Sequence, residues 1–98
     1  MAHRQDRVLA LTFSEFGRRV AQNASNGTDH GTAMPMFAIG GAVTGGVYGT
    51  QPSLTDLDRG NLRYSVDFRS AYATVLERWL GRSSTAILGG TFTPLPFV

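Results

Sequence analysis

Cysteine is absent from the chain, and so is lysine. The first absence excludes disulfide scaffolds, thiolate zinc sites and cysteine nucleophiles together, and leaves the redox compartment open. The second makes every basic residue an arginine, so a sequence pI near 9.7 coexists with a formal net charge of only +2. These arginines are scattered, with no run beyond Arg18-Arg19. Phosphate-driven affinity needs several basic groups converging on one stripe, so no nucleic-acid partner is expected. Long apolar runs are missing too. Nothing approaches the roughly 20 apolar residues of a membrane span, and no apolar core follows the opening MAHRQDR, so neither a membrane partner nor a leader is expected.

What is present amounts to 98 residues, 42% hydrophobic and 16% charged. A chain of that size buries roughly 60–65% of the surface it exposes when unfolded, which leaves little room for an enclosed active site. It reads as a single segment over residues 1–98. The run Val8-Leu9-Ala10-Leu11-Thr12-Phe13 predicts a strand buried on both faces, as inside a parallel sheet covered by helices. From Gly17 to Gly31 the turn formers Asn23, Ser25, Asn26, Gly27, Thr28 and Asp29 predict a loop, with at most one helical turn over Arg18–Gln22. A second strand is predicted over Met34–Ile39 and a third around Gly45–Gly49, separated by a glycine-rich turn. Thr50 to Tyr64 has no usable period and reads as surface loop.

The spacing of Phe68, Ala71, Tyr72, Val75, Leu76, Trp79 and Leu80 predicts a helix over Asp67–Leu80 with one apolar stripe. Asp67 or Ser65 is placed to cap its start, and Gly81 to end it. The tail from Ile87 through Pro94, Pro96 and Val98 reads as an apolar strap over a larger body. One convincing helix does not cover a parallel sheet on both faces. The expected fold class is therefore α/β, incomplete in this chain and forming the C-terminal part of a larger domain.

Two clusters carry chemistry, Ser14-Glu15-Phe16-Gly17-Arg18 and Gly27-Thr28-Asp29-His30-Gly31. A carboxylate at Glu15, just past an apolar strand, sits where ligands collect in open α/β sheets. The alternative is that Glu15 is a helix N-terminal carboxylate behind a Ser14 cap. Asp29 and His30 have the donor types of a zinc or hard-metal site, but only a tight turn could aim both at one ion. Otherwise they are a solvent-facing pair. Together Glu15, Asp29 and His30 could hold one divalent ion, such as zinc, at best. His3 is not expected to ligate. No G-x-S-x-G elbow or phosphate-loop lysine is present, so no nucleophile is identified and the glycine pairs at Gly40-Gly41 and Gly45-Gly46 read as turns. The triplets Asn23-Ala24-Ser25 and Asn26-Gly27-Thr28 fit a glycosylation pattern that arises often in polar loops.

The order of these strings, with Ser14-Glu15-Phe16-Gly17-Arg18 first, then Asn23, then Gly27-Thr28-Asp29-His30, the glycine pairs and a helix closing in Leu80-Gly81, resembles the C-terminal portion of a bacterial family called domain of unknown function 1501. That family is similar to the alkaline phosphatase and sulfatase superfamily. The resemblance implies an alkaline-phosphatase-like mixed sheet with flanking helices and metal-dependent hydrolysis of phosphate or sulfate esters. It also implies a parent that is periplasmic or exported. Residue by residue it places Ser14-Glu15-Phe16-Gly17 at the superfamily's Asp-His-Gly turn and His30 at a later ligand histidine. Glu15 and His30 are then metal-ligand candidates with Asp29 beside them, while Phe16 stands where a ligand histidine would be. The nucleophile and the first aspartates would lie in earlier sequence, so the chain is expected to be inactive alone. Its partner would be the rest of its own domain, or another copy of itself. The alternative function is a non-catalytic binding or assembly module using the Phe68–Leu80 helix face and the C-terminal tail.

Overall fold

A computed structural model of the chain describes residues 6–98. The strands are short: β1 (Leu9–Leu11), β2 (Gly17–Gln22), β3 (Thr28–Gly31), β4 (Ala38–Gly40), β5 (Leu57–Asp58) and β6 (Asn61–Leu62). They form two-stranded sheets, β1 with β4, β2 with β3 and β5 with β6. Two helices follow, α1 (Phe68–Thr74), continued by a π-helical turn over Val75–Trp79, and α2 (Ser84–Leu88). The class is mixed α/β, but the pairs β2–β3 and β5–β6 are antiparallel.

The expected doubly buried strand over Val8–Phe13 is corrected. Only Leu9–Leu11 is extended and paired, and Val8 and Phe13 are 64% and 78% exposed. An apolar run is buried only if something lies on both of its faces, and a two-stranded ribbon offers no such cover. The Gly17–Gly31 segment is not a loop with a helical turn but a hairpin. The strand expected over Met34–Ile39 shrinks to β4, and no strand forms around Gly45–Gly49. Thr50–Tyr64 holds the small β5–β6 hairpin, whose two turn residues, Arg59 and Gly60, both have positive φ (52° and 85°), as a tight primed turn requires.

The chain divides into two compact units. One contains Ala10–Ala38 and Thr50–Ser65. In it the backbone N–H of Thr12 donates to the Phe37 carbonyl at 2.9 Å, and that of Phe37 returns to the Thr12 hydroxyl at 2.7 Å. The Arg19 guanidinium donates to the Arg59 carbonyl, lying over Gly60 where a side chain would collide with it.

The other unit contains the described residues up to Leu9, Ile39–Gly49 and Val66–Val98. Asp67 caps α1, its carboxylate accepting from the Arg69 backbone N–H at 2.9 Å. Ser65, the other capping candidate, accepts instead from the Thr50 N–H in the first unit. The helix ends as its sequence implies. Gly81 is left-handed (φ 65°), and the Arg82 N–H closes back onto the Leu76 carbonyl at 2.7 Å. Within it, the Thr74 hydroxyl donates to the Ser70 carbonyl at 2.7 Å. Back-bonding of this kind bends helices, and the next turn opens so that the Leu80 N–H reaches the Val75 carbonyl five residues back.

The predicted stripe forms the buried face only in part. Ala71, Ala73 and Thr74 are buried, whereas Phe68 and Leu80 are exposed. At about 100° per residue, Ala73 and Thr74 point away from Phe68 and Tyr72. Of the stripe, Ala71 is buried, Tyr72, Val75, Leu76 and Trp79 are half-buried, and only its two ends, Phe68 and Leu80, are exposed. The tail is likewise more ordered than a strap. It begins with α2, ended by left-handed Gly89 (φ 74°). Its end is tied down: the Leu95 N–H donates to the Thr74 hydroxyl at 2.7 Å, the Thr44 N–H donates to the Phe97 carbonyl at 2.7 Å, and Phe97 is buried. The expectation of a tail strapped over a larger body is therefore corrected at Phe97, which is buried within this unit.

Candidate functional site

The two motif strings lie in one hairpin. β2 and β3 pair with Gly17 opposite Gly31, Arg18 opposite His30 and Gln22 opposite Thr28. Between the last two pairs, Arg19, Val20 and Ala21 face only Asp29, so β2 carries a bulge. Two glycines make the pairing possible. A Cβ on Gly17 would run into the Ala33 carbonyl oxygen, and one on Gly31 would lie 2.9 Å from the Arg18 carbonyl group. The glycines of the S-E-F-G-R and T-D-H-G strings are thus explained by backbone proximity, without a ligand.

Asn23 organises the connecting loop. Its Oδ1 accepts from the backbone N–H of Ser25 at 2.9 Å and of Gly27 at 3.1 Å, its own N–H donates to the Gly27 carbonyl at 2.7 Å, and its carbonyl accepts from the Asn26 N–H at 3.2 Å. Asn26 sits in the left-handed region (φ 62°), which asparagine tolerates better than most residues. The Arg18 guanidinium donates to the Thr28 carbonyl at 2.8 Å and stiffens the same ladder. The sequence marked this stretch as rich in turn formers. It did not reveal that a single side chain holds the turn.

The three candidate ligands fall as follows. His30 meets the Phe16 ring edge-on, with ring centroids 4.9 Å apart. Asp29 accepts from the Asn23 side-chain amide at 3.1 Å. Neighbouring residues on a strand point to opposite faces, and these two occupy β3, not the tight turn that would aim both at one ion. Glu15 is exposed in the approach to β2. Ser14 does cap an amide, accepting from the Phe16 N–H at 3.0 Å, but a strand and not a helix follows, so Glu15 is not a helix N-terminal carboxylate. The structure brings Phe16 to His30, and Asn23 to Asp29. Among the described residues no three His, Asp or Glu side chains gather into a group that could hold a metal ion. His3 lies outside the described residues.

Elsewhere, the hydroxyl of buried Ser84 donates to the Glu77 carboxylate, joining α2 to the π-helical turn. The Asp67 carboxylate accepts a forked contact from the Arg69 guanidinium at 3.0 and 2.7 Å, and this hydrogen bonding holds its carboxyl below the ordinary value of 3.8. Both pairs fasten secondary structure, and the Ser84 side chain is fully buried. No helix among the described residues is long and apolar enough to cross a membrane.

No curated protein and no solved structure matches the chain. Residues 3–81, from ahead of β1 to the glycine that ends the long helix, match a family described as Protein of unknown function (DUF1501). With most of its length inside that match, the chain belongs to the DUF1501 family.

Proposed function

We propose that these residues are the C-terminal part of a larger α/β domain related to metal-dependent phosphate and sulfate ester hydrolases, and that this part is inactive alone. The Phe16–His30 contact carries the reading, because it places the flank of Glu15 and the imidazole of His30 in one local structure. In this reading Glu15, His30 and Asp29 are remnants of a ligand set for a divalent ion such as zinc, with Phe16 in the place of a ligand histidine. The rest of the domain supplies the nucleophile and the remaining ligands. Support for missing cover comes from Phe13 and Phe37 in the unit that holds the hairpin, which are 78% and 60% exposed.

A second reading, a non-catalytic assembly module, draws on the exposed ends of the helix stripe. Exposed Phe68 packs edge to face on half-buried Tyr72 at 5.4 Å, and Leu80 is exposed further along. In the tail, Phe97 is buried and Ile87 is 61% exposed, so only the start of the tail would share this role.

The test is to incubate the purified chain with aryl phosphate and aryl sulfate esters, with and without zinc or manganese, and to measure its association state and dye binding. No turnover above metal and buffer is expected, together with self-association and strong binding of a hydrophobic dye. Metal-dependent turnover that disappears in His30→Ala would overturn the inactive reading. A monomer that unfolds cooperatively and ignores the dye would overturn the part-domain reading and leave an independent module.

A further inference from the structure

We infer that Asn26 is a site of spontaneous backbone modification, deamidation through a succinimide, and that Asn23 holds this reaction in check. Asn26 is followed by Gly27, whose lack of a side chain leaves its nitrogen open to approach. Both residues are exposed in the turn, so water reaches them. The reaction requires the Gly27 nitrogen to give up its proton and bond to the Asn26 side-chain carbonyl carbon. The bond from that carbon to Nδ2 then breaks, and ammonia leaves with the proton. Water afterwards opens the cyclic imide at either carbonyl, giving aspartate or isoaspartate.

The hairpin opposes the first step. The Gly27 N–H donates to Asn23 Oδ1 at 3.1 Å, and the Gly27 carbonyl accepts from the Asn23 N–H at 2.7 Å. Gly27, which carries the nucleophilic nitrogen, is therefore held at both its N–H and its carbonyl by one residue. At the other end, Gln22 Nε2 donates to Asn26 Oδ1 at 3.4 Å, holding the electrophile in the turn. Attack requires the Gly27 nitrogen to leave its acceptor and turn toward Asn26, which costs the clamp. The product matters to the motif strings. Isoaspartate adds a methylene to the backbone at a left-handed turn position, and either product adds a negative charge in the loop that carries Asp29. Completed modification therefore weakens the ladder that sets Arg18 opposite His30.

The test follows amide-to-acid conversion at Asn26 by peptide mapping with mass spectrometry, and isoaspartate by enzymatic methyl labelling, in the whole chain at mildly alkaline pH. The parent chain, Asn23→Ala and the denatured parent are compared with the exchanged pair Asn23→Asp/Asp29→Asn. The exchanged pair keeps an acceptor for the Gly27 N–H and reverses the donor and acceptor of the Asn23–Asp29 bond. Loss of the one hydrogen bond that holds the Gly27 N–H predicts conversion roughly two- to tenfold faster in Asn23→Ala than in the parent. The denatured parent should be at least as fast as that variant, and the exchanged pair should stay near the parent. A folded parent no slower than the denatured chain overturns the proposal. So does a rate in the exchanged pair that rises as far as in Asn23→Ala, because the loss of the clamp would then not be the cause.

Discussion

The imidazole of His30 rests edge-on against the Phe16 ring at a centroid separation of 4.9 Å, across the mouth of the β2–β3 hairpin. An edge-to-face arrangement points the positive rim of one ring at the negative face of the other. Both residues are exposed, so the pair contributes at the low end of its usual range. Phe16→Ala is expected to lower stability by about 0.5 kcal/mol, and Phe16→Leu by less. Denaturant titration reads the difference. A loss of several kcal/mol would show that Phe16 is a core anchor and not a lid on His30.

Close backbone contact at Gly17 leads to a larger effect. Gly17 is buried, and a methyl group there would collide with the Ala33 carbonyl, a backbone atom that cannot swing aside. Gly17→Ala should destabilise by about 1–3 kcal/mol, the usual range for forcing an extra group into a filled space. Gly45→Ala is the control, since an added Cβ there meets nothing. Equal melting temperatures for the two variants would refute the crowding at Gly17.

In the other unit, the Thr74 hydroxyl is fully buried and makes two bonds, donating to the Ser70 carbonyl and accepting from the Leu95 N–H. Thr74→Val keeps the shape and removes both. It leaves the Leu95 amide without its partner, which costs about 1–3 kcal/mol. Thr74→Ser should retain most of the stability. Hydrogen exchange at Leu95 is the direct readout: its protection should fall in the valine variant and persist in the serine variant.

Acid should loosen the start of α1. The Arg69 hydrogen bonds depress the Asp67 carboxyl below its unfolded value of 3.8. The charged form is thus favoured by folding, and its contribution is present above about pH 4 and lost as pH falls through the lower, folded value. Asp67→Asn keeps a side-chain oxygen for the Arg69 amide, so it should preserve the cap while flattening the acid dependence. Asp67→Ala should remove both, costing about 1 kcal/mol at neutral pH. Helical signal followed against pH separates the three chains, and an acid transition that survives unchanged in Asp67→Asn would exclude Asp67 as its source.

Local signals were legible in the sequence wherever one residue type does one job. Asp67 caps and Gly81 terminates the long helix because a short carboxylate meets an exposed amide and only glycine enters the left-handed region cheaply. The succession of the S-E-F-G-R and G-T-D-H strings was likewise sufficient to point to the family to which the chain belongs. Where burial depends on what lies opposite, only the tertiary structure could decide. Of the apolar stripe only Ala71 became fully buried, joined by Ala73 and Thr74 from off the stripe, while Phe68 and Leu80 at its ends stayed exposed. Val8 and Phe13 stayed exposed because their strand gained a single paired neighbour. The hairpin that unites Phe16 with His30 had no alternating pattern to betray it, since its pairing rests on the closeness of two glycine backbones and on one asparagine side chain bonded across a turn. Such contacts join residues distant along the chain, and their energy exists only once the chain has folded.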